Sequence, residues 1–160
     1  MSKITPMIEP SDLDKRAAKG FQALANESSF FPVTCRFRRI VKPDTDHVFW
    51  SKGAEEFKVH FGNAANYFAG ALEYIHLATG WSYPYHDLEV VVLGSKRRTS
   101  NGCAFYPPGL RGDPKSGEVR IFWANDEFTW TVLHELIHLF KKGMDEDWVE
   151  QQALKLTLGV

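Results

Sequence analysis

The sequence predicts an α+β domain: a small mixed sheet with a backing helix, a helix carrying His134-Glu135-Leu136-Ile137-His138, and a C-terminal helix. Three observations predict it. Ala64 to Thr79 has apolar residues at helical spacing and ends at Gly80. Leu88 to Leu93 is β-branched and bounded by Gly94, so it reads as a buried strand. The order helix, strand, short edge strand, strand, motif helix, final helix places a sheet on one side of the motif helix. With 160 residues, 44% of them hydrophobic, the chain can fill the core of a single domain spanning 1–160. Residues 1–60 read as an N-terminal extension and 63–160 as the core.

Taken in order, Asp12 to Asn26 predicts a helix, with Leu13, Ala17, Phe21 and Leu24 on one face and Ser11 as N-cap. Phe31 to Val41 reads as extended, its apolar Val33, Cys35, Phe37 and Ile40 interleaved with Arg36, Arg38 and Arg39; this is the wet face of an edge strand. Residues 47–61 are aromatic-rich, with a short helix over 54–61. Asn63 caps the helix 64–79, whose inner stripe is Ala64, Phe68, Ala71, Leu72, Ile75 and Thr79. Tyr83-Pro84-Tyr85 breaks that pattern, and the strand 88–93 follows. Lys96 to Ser100 is a basic turn. Cys103 to Tyr106 is a short extended piece stopped by Pro107-Pro108-Gly109, and Val119 to Trp123 is the next strand. Asn125 or Asp126 caps the motif helix, which runs to Lys142 and ends at Gly143; Asp145 caps a last helix over 146–158.

The motif carries the chemistry. Histidines four apart on a helix share one face, one turn apart, close enough to hold a single Zn²⁺. Glu135 points about 100° from His134, so it can hold a water against the metal without ligating it. At this chain's His and Glu content the pattern arises by chance about 0.015 times. No charged residue except Glu135 interrupts Thr131 to Phe140, so the helix is expected to be buried. Burying two histidines and a glutamate without partners costs on the order of a few kcal/mol per group, and a metal removes that cost.

A catalytic zinc site needs a third protein ligand and an open position. His47, His60, His76 and His86 precede the motif; His76 lies on the polar side of its helix, and His86 in an aromatic loop stays a candidate. Downstream stand Asp145, Glu146, Asp147 and Glu150. If the chain turns back at Gly143-Met144, a residue as far past the turn as His138 is before it lies level with the metal. Glu150 fits this best and flanks the packing positions Val149 and Ala153; Glu146 is the rival.

Thr131-Val-Leu-His-Glu-Leu-Ile-His-Leu-Phe140, with Glu150 on the next helix, resembles the gluzincin zinc metallopeptidases. The span from Asn63 to Val160 is similar to the minimal zincin scaffold of minigluzincins and of ImmA/IrrE-type regulatory peptidases. The resemblance implies one Zn²⁺, the ligands His134, His138 and Glu150, and Glu135 as general base. It also implies that Cys103 to Tyr106 is the sheet edge beside the cleft, where a substrate strand would pair. Larger gluzincins often carry an acidic residue four after the ligand glutamate, which here is Leu154, so a different group such as a backbone carbonyl must orient His134. Tyr106 and His86 are the candidates for stabilising an oxyanion. The first 60 residues carry no such resemblance.

The expected function is therefore a zinc-dependent endopeptidase acting on a specific protein or peptide target. The alternative is a non-catalytic zincin-fold module that binds protein or nucleic acid through Arg36, Arg38, Arg39, Lys96, Arg97 and Arg98. An intact Glu135 speaks against that module, because a structural metal needs no base. Hydrolysis of a non-peptide amide is a third reading. A formal net charge of −1 suggests neither nucleic acid nor an acidic membrane as partner. Cys35 and Cys103 lack metal or redox spacing, which fits a reducing compartment such as the cytoplasm. No signal peptide or membrane span is expected.

Overall fold

The computed structural model describes residues 9–27, 33–40, 47–49, 52–94, 102–105, 116–122 and 127–160. They form a mixed α/β structure in the order α1 (Asp12–Ala25), β1 (Thr34–Ile40), β2 (His47–Phe49), α2 (Gly53–Phe61), α3 (Ala64–Thr79), β3 (Asp87–Leu93), β4 (Gly102–Phe105), β5 (Ser116–Phe122), α4 (Phe128–Phe140) and α5 (Glu146–Leu158). The strands lie in the order β2-β1-β3-β5-β4. β1, β3 and β5 are mutually parallel, and the outer strands β2 and β4 run antiparallel to their neighbours.

Local chemistry sets the helix ends. The Ser11 hydroxyl accepts from the Asp14 backbone N–H and the Asp14 carboxylate accepts from the Ser11 N–H, a reciprocal capping box at the start of α1. Asn63 and Asp145 cap α3 and α5 as their positions predict, each accepting from the backbone N–H three residues on. Gly80 ends α3 in the left-handed region at φ 78°.

The helices cover one face of the sheet. There Val90, Val92, Val119 and Ile121 meet Leu72, Ile75, Leu133, Leu136 and Ile137 in the main core. Phe21, Phe57, Phe61, Tyr67, Phe68 and Phe128 are each buried, and they join α1, α2, α3 and α4 through edge-on and stacked ring contacts. The opposite face carries the smaller cluster Val91, Leu93 and Phe122 and two ion pairs, Arg36–Glu89 at 3.2 Å and Arg120–Glu118 at 3.0 Å.

Two expectations change here. β1 is an inner strand, with β2 outside it, because the three residues His47–Phe49 pair back on it; a strand that short leaves little periodicity to read. Arg36 and Arg38 nevertheless lie off the core, as the alternation requires. Residues 1–60, read as an extension of the 63–160 core, supply α1, β1 and most of α2 to that same core. Gly70 shows how close that packing is: a Cβ there would collide with the Phe21 carbonyl, so α1 and α3 approach backbone to backbone only because the position is glycine.

Candidate metal centre

α4 is buried at every position from Thr131 to Ile137, because its apolar residues face both the sheet and the other helices. It begins at Phe128, preceded by Glu127, whose side chain makes no cap. The expected caps Asn125 and Asp126 lie outside the described residues. Among the described residues, a cap comes from α1. Buried Asp14 accepts from the Thr129 backbone N–H at 3.1 Å and from the Thr129 hydroxyl. A carboxylate against the first turn satisfies an orphan N–H and suits the positive helix end. The helix that carries the motif is thus fixed in place by a residue 115 positions away.

His134 and His138 project together from α4. Their Nε2 atoms are 3.3 Å apart. Glu146, the first residue of α5, reaches both: one carboxylate oxygen is 2.6 Å from His134 Nε2 and the other 3.0 Å from His138 Nε2. All three residues offer donor atoms within 4.8 Å of one another, a group able to hold a metal ion. The side chain of His134 is nearly enclosed, while that of Glu146 is 58% exposed, so the group opens to solvent on the α5 side.

Glu150 was expected as the third carboxylate, and the structure brings in Glu146. The expectation counted residues on either side of Gly143-Met144 as if all of them climbed a helix. α4 ends at Phe140 and α5 begins at Glu146, so residues 141–145 form the link. They consume sequence without helical rise, and the first turn of α5 is already level with His138. Glu150 lies one turn further on, where its charge still acts on His134.

The donor set fits zinc. Two imidazole nitrogens and a carboxylate form a common catalytic zinc triad. Two nitrogens bound at the usual zinc distance on a tetrahedral centre stand about 3.3 Å apart, as the two Nε2 atoms do, whereas the Glu146 oxygen 2.6 Å from His134 Nε2 is at hydrogen-bond distance and would draw back on binding an ion. Burial lowers the pKa of His134, opposed by the Glu146 carboxylate, and so favours the neutral imidazole that binds metal.

Glu135 stands beside this group without joining it. It is 5% exposed, and its Oε1 is 3.6 Å from His134 Nε2. Burial, and secondarily the charge of Glu146, pushes its pKa up to about 8. Among the described residues its Oε2 has no hydrogen-bond partner, and neither has His134 Nδ1. The carbonyl expected to orient His134 is therefore not found among them. The Trp130 ring packs against the imidazole instead, with centroids 4.6 Å apart. Trp130 and Asp14 were not anticipated as part of the site. Trp130 could have been read from its place one turn before His134; Asp14 left no local signal.

Among the described residues, none of the remaining candidates joins the group. His86 is exposed. His76 is not simply solvated: its Nδ1 is 2.7 Å from the Trp81 carbonyl. Tyr106 and Lys96 to Arg98 lie outside the described residues, as do the side chains of Arg39, His47 and Cys103. Among the basic residues named for a binding surface, Arg36 is engaged by Glu89. No helix among the described residues is long and apolar enough to cross a membrane. Comparison with protein-family models, curated proteins and solved structures finds no match to this chain.

Proposed function

We propose that the chain is a zinc-dependent endopeptidase built on a minimal zincin-like domain. His134, His138 and Glu146 hold the metal, and Glu135 is the general base. The observation that carries this reading is the buried Glu135 carboxylate 3.6 Å from a ring nitrogen that two further donors approach. A purely structural ion has no use for a buried acid beside its ligands. The architecture supports the same reading. The antiparallel strand β4 closes the sheet next to β5, α4 lies along it, and the following helix returns a carboxylate. An extended peptide would pair with the outer edge of β4 and so lie across the motif helix.

Bound there, Zn²⁺ supplies Lewis acidity, polarising a carbonyl oxygen and making a neighbouring water more acidic. The chain's own residues do the rest. Glu135 accepts a proton at its carboxylate from the attacking water, then delivers it to the amine nitrogen as the C–N bond breaks. Its burial directs the proton to substrate and not to bulk solvent. Trp130 and the apolar wall of α4 hold His134 in one orientation. The exposed side of Glu146 leaves room for a peptide chain to enter. A reducing compartment, such as the cytoplasm, suits the free thiol of Cys35.

The test is hydrolysis of a quenched fluorescent peptide library by the zinc-loaded chain, the chelator-treated chain and Glu135→Gln. Cleavage by the first alone is expected. Equal cleavage by Glu135→Gln would remove Glu135 as base, and cleavage after chelation would remove the metal.

A further inference from the structure

The link 141–145 decides which carboxylate of α5 meets the histidines, and one indole meets the chain on both sides of it. Lys141 opens the link, and its ammonium lies 5.2 Å from the centroid of the Trp81 ring. Trp148, in the first turn of α5, packs its own ring on Trp81 with centroids 5.4 Å apart. The entry and the exit of the link thus rest on the same side chain. Between them the Lys141 carbonyl accepts from the Met144 N–H at 3.3 Å, and Gly143 turns in the left-handed region at φ 89°. Asp145 then accepts from the Trp148 N–H at 2.8 Å as α5 begins.

Trp81 is itself fixed from the other side. It follows Gly80, which ends α3. Its carbonyl accepts from the His76 ring at 2.7 Å, and its backbone N–H donates to the Thr79 hydroxyl at 3.1 Å. That hydroxyl donates in turn to the Ile75 carbonyl. The indole therefore stands on the end of a helix whose Leu72 and Ile75 are part of the core. Glu146 has no such support of its own. It is the first residue of α5, where helices fray, and its side chain is 58% exposed. Its place depends on what holds the chain around it, and the Trp148 ring two residues on is held by Trp81.

We propose that Trp81 is a positioning residue for the metal centre: by holding Lys141 and Trp148 on its indole, it fixes the 141–145 link in the shape that sets Glu146 level with His134 and His138. The inference rests on the reading of those three residues as metal ligands, and not on peptide hydrolysis.

The experiment measures the zinc dissociation constants of the wild-type chain, Trp81→Ala, Glu146→Ala and the double variant by chelator competition. Each is measured at a temperature where denaturant unfolding shows that chain fully folded. Trp81→Ala should bind zinc about tenfold more weakly, the scale of loss for a group that orients a ligand. In the Glu146→Ala background the same substitution should change the constant less than about twofold, because the residue it acts through is gone. A general loss of packing would instead weaken zinc binding equally in both backgrounds. Cobalt(II) bound to Trp81→Ala should give a visible spectrum moved from that of the wild-type chain toward that of Glu146→Ala. Trp81→Phe keeps an aromatic face and should bind zinc close to wild type, whereas Trp81→Leu should bind as weakly as Trp81→Ala. That pair carries the test if Trp81→Ala does not fold. Unchanged affinity in Trp81→Ala, an equal loss with and without Glu146, or equal affinity of the Phe and Leu variants overturns the role of Trp81 and leaves the centre standing. Zinc binding untouched by Glu146→Ala removes the centre, and the role of Trp81 with it.

Discussion

Glu135 keeps a carboxylate 3.6 Å from the His134 ring nitrogen in surroundings that push its pKa up to about 8. Glu135→Gln is nearly isosteric and removes no ligand, but its amide cannot accept a proton at neutral pH. It should retain zinc and lose about 10²–10⁴-fold in kcat, measured on any peptide the wild-type chain cleaves. Cys35 is a second acid, partly buried against the core, and desolvation pushes its thiol up to about 12. In a Cys103→Ser background, Cys35 should react with a thiol reagent at pH 8 much more slowly in the folded than in the unfolded chain, because the reactive thiolate is scarce. The folded pKa is raised, so the thiol's contribution is intact below about 9 and is lost as pH rises toward 12. Cys35→Ala should therefore flatten part of the fall in stability over that range, read by urea unfolding at stepped pH. An unchanged slope would contradict the assignment.

At the level of elements, α4 depends on a cap that it does not encode. Asp14→Ala would leave the Thr129 N–H and hydroxyl buried without an acceptor. A loss of about 1–3 kcal/mol is expected by denaturant unfolding, with faster amide exchange in the first turn of α4. A loss confined to α1 would show that the contact does not fix the motif helix. The same contrast marks what the sequence made legible. α3, α5 and the apolar strands follow from caps and periodicity over a few residues, and α1, β1 and β3 fall where those signals place them; the motif helix does too, but it ends at Phe140, short of the expected Lys142. His134, Glu135 and His138 lie in one helical pattern and are readable for the same reason. Glu146 and Glu150 differ by one turn of one helix, and only the shape of the 141–145 link decides between them. Asp14 acts across 115 positions, and β2 is three residues long, so neither leaves a local pattern.

For the whole molecule, the contacts of Glu146 with His134 and His138 tie α5 to α4, and α4 is tied to α1, so a metal held by that group would couple binding to folding. Zinc should raise the melting temperature, with stabilisation of about 2.7 kcal/mol when free zinc is a hundredfold above Kd. Chelation should reverse it. Deleting residues 1–61 removes β1, α1, α2 and the aromatic residues Phe21, Phe57 and Phe61 from the core. The truncated chain should not fold cooperatively, as near-ultraviolet circular dichroism would show; a cooperative transition would make residues 62–160 a core that folds without the N-terminal segment. The central claim is a metal centre of His134, His138 and Glu146 joining the last two helices. The most direct test is the zinc dissociation constant of the wild-type chain, Glu146→Ala and Glu150→Ala, measured by competition with a chromophoric chelator. Glu146→Ala should bind zinc more than about tenfold more weakly and Glu150→Ala close to wild type. The reverse order, or no effect of either substitution, would contradict the centre described here.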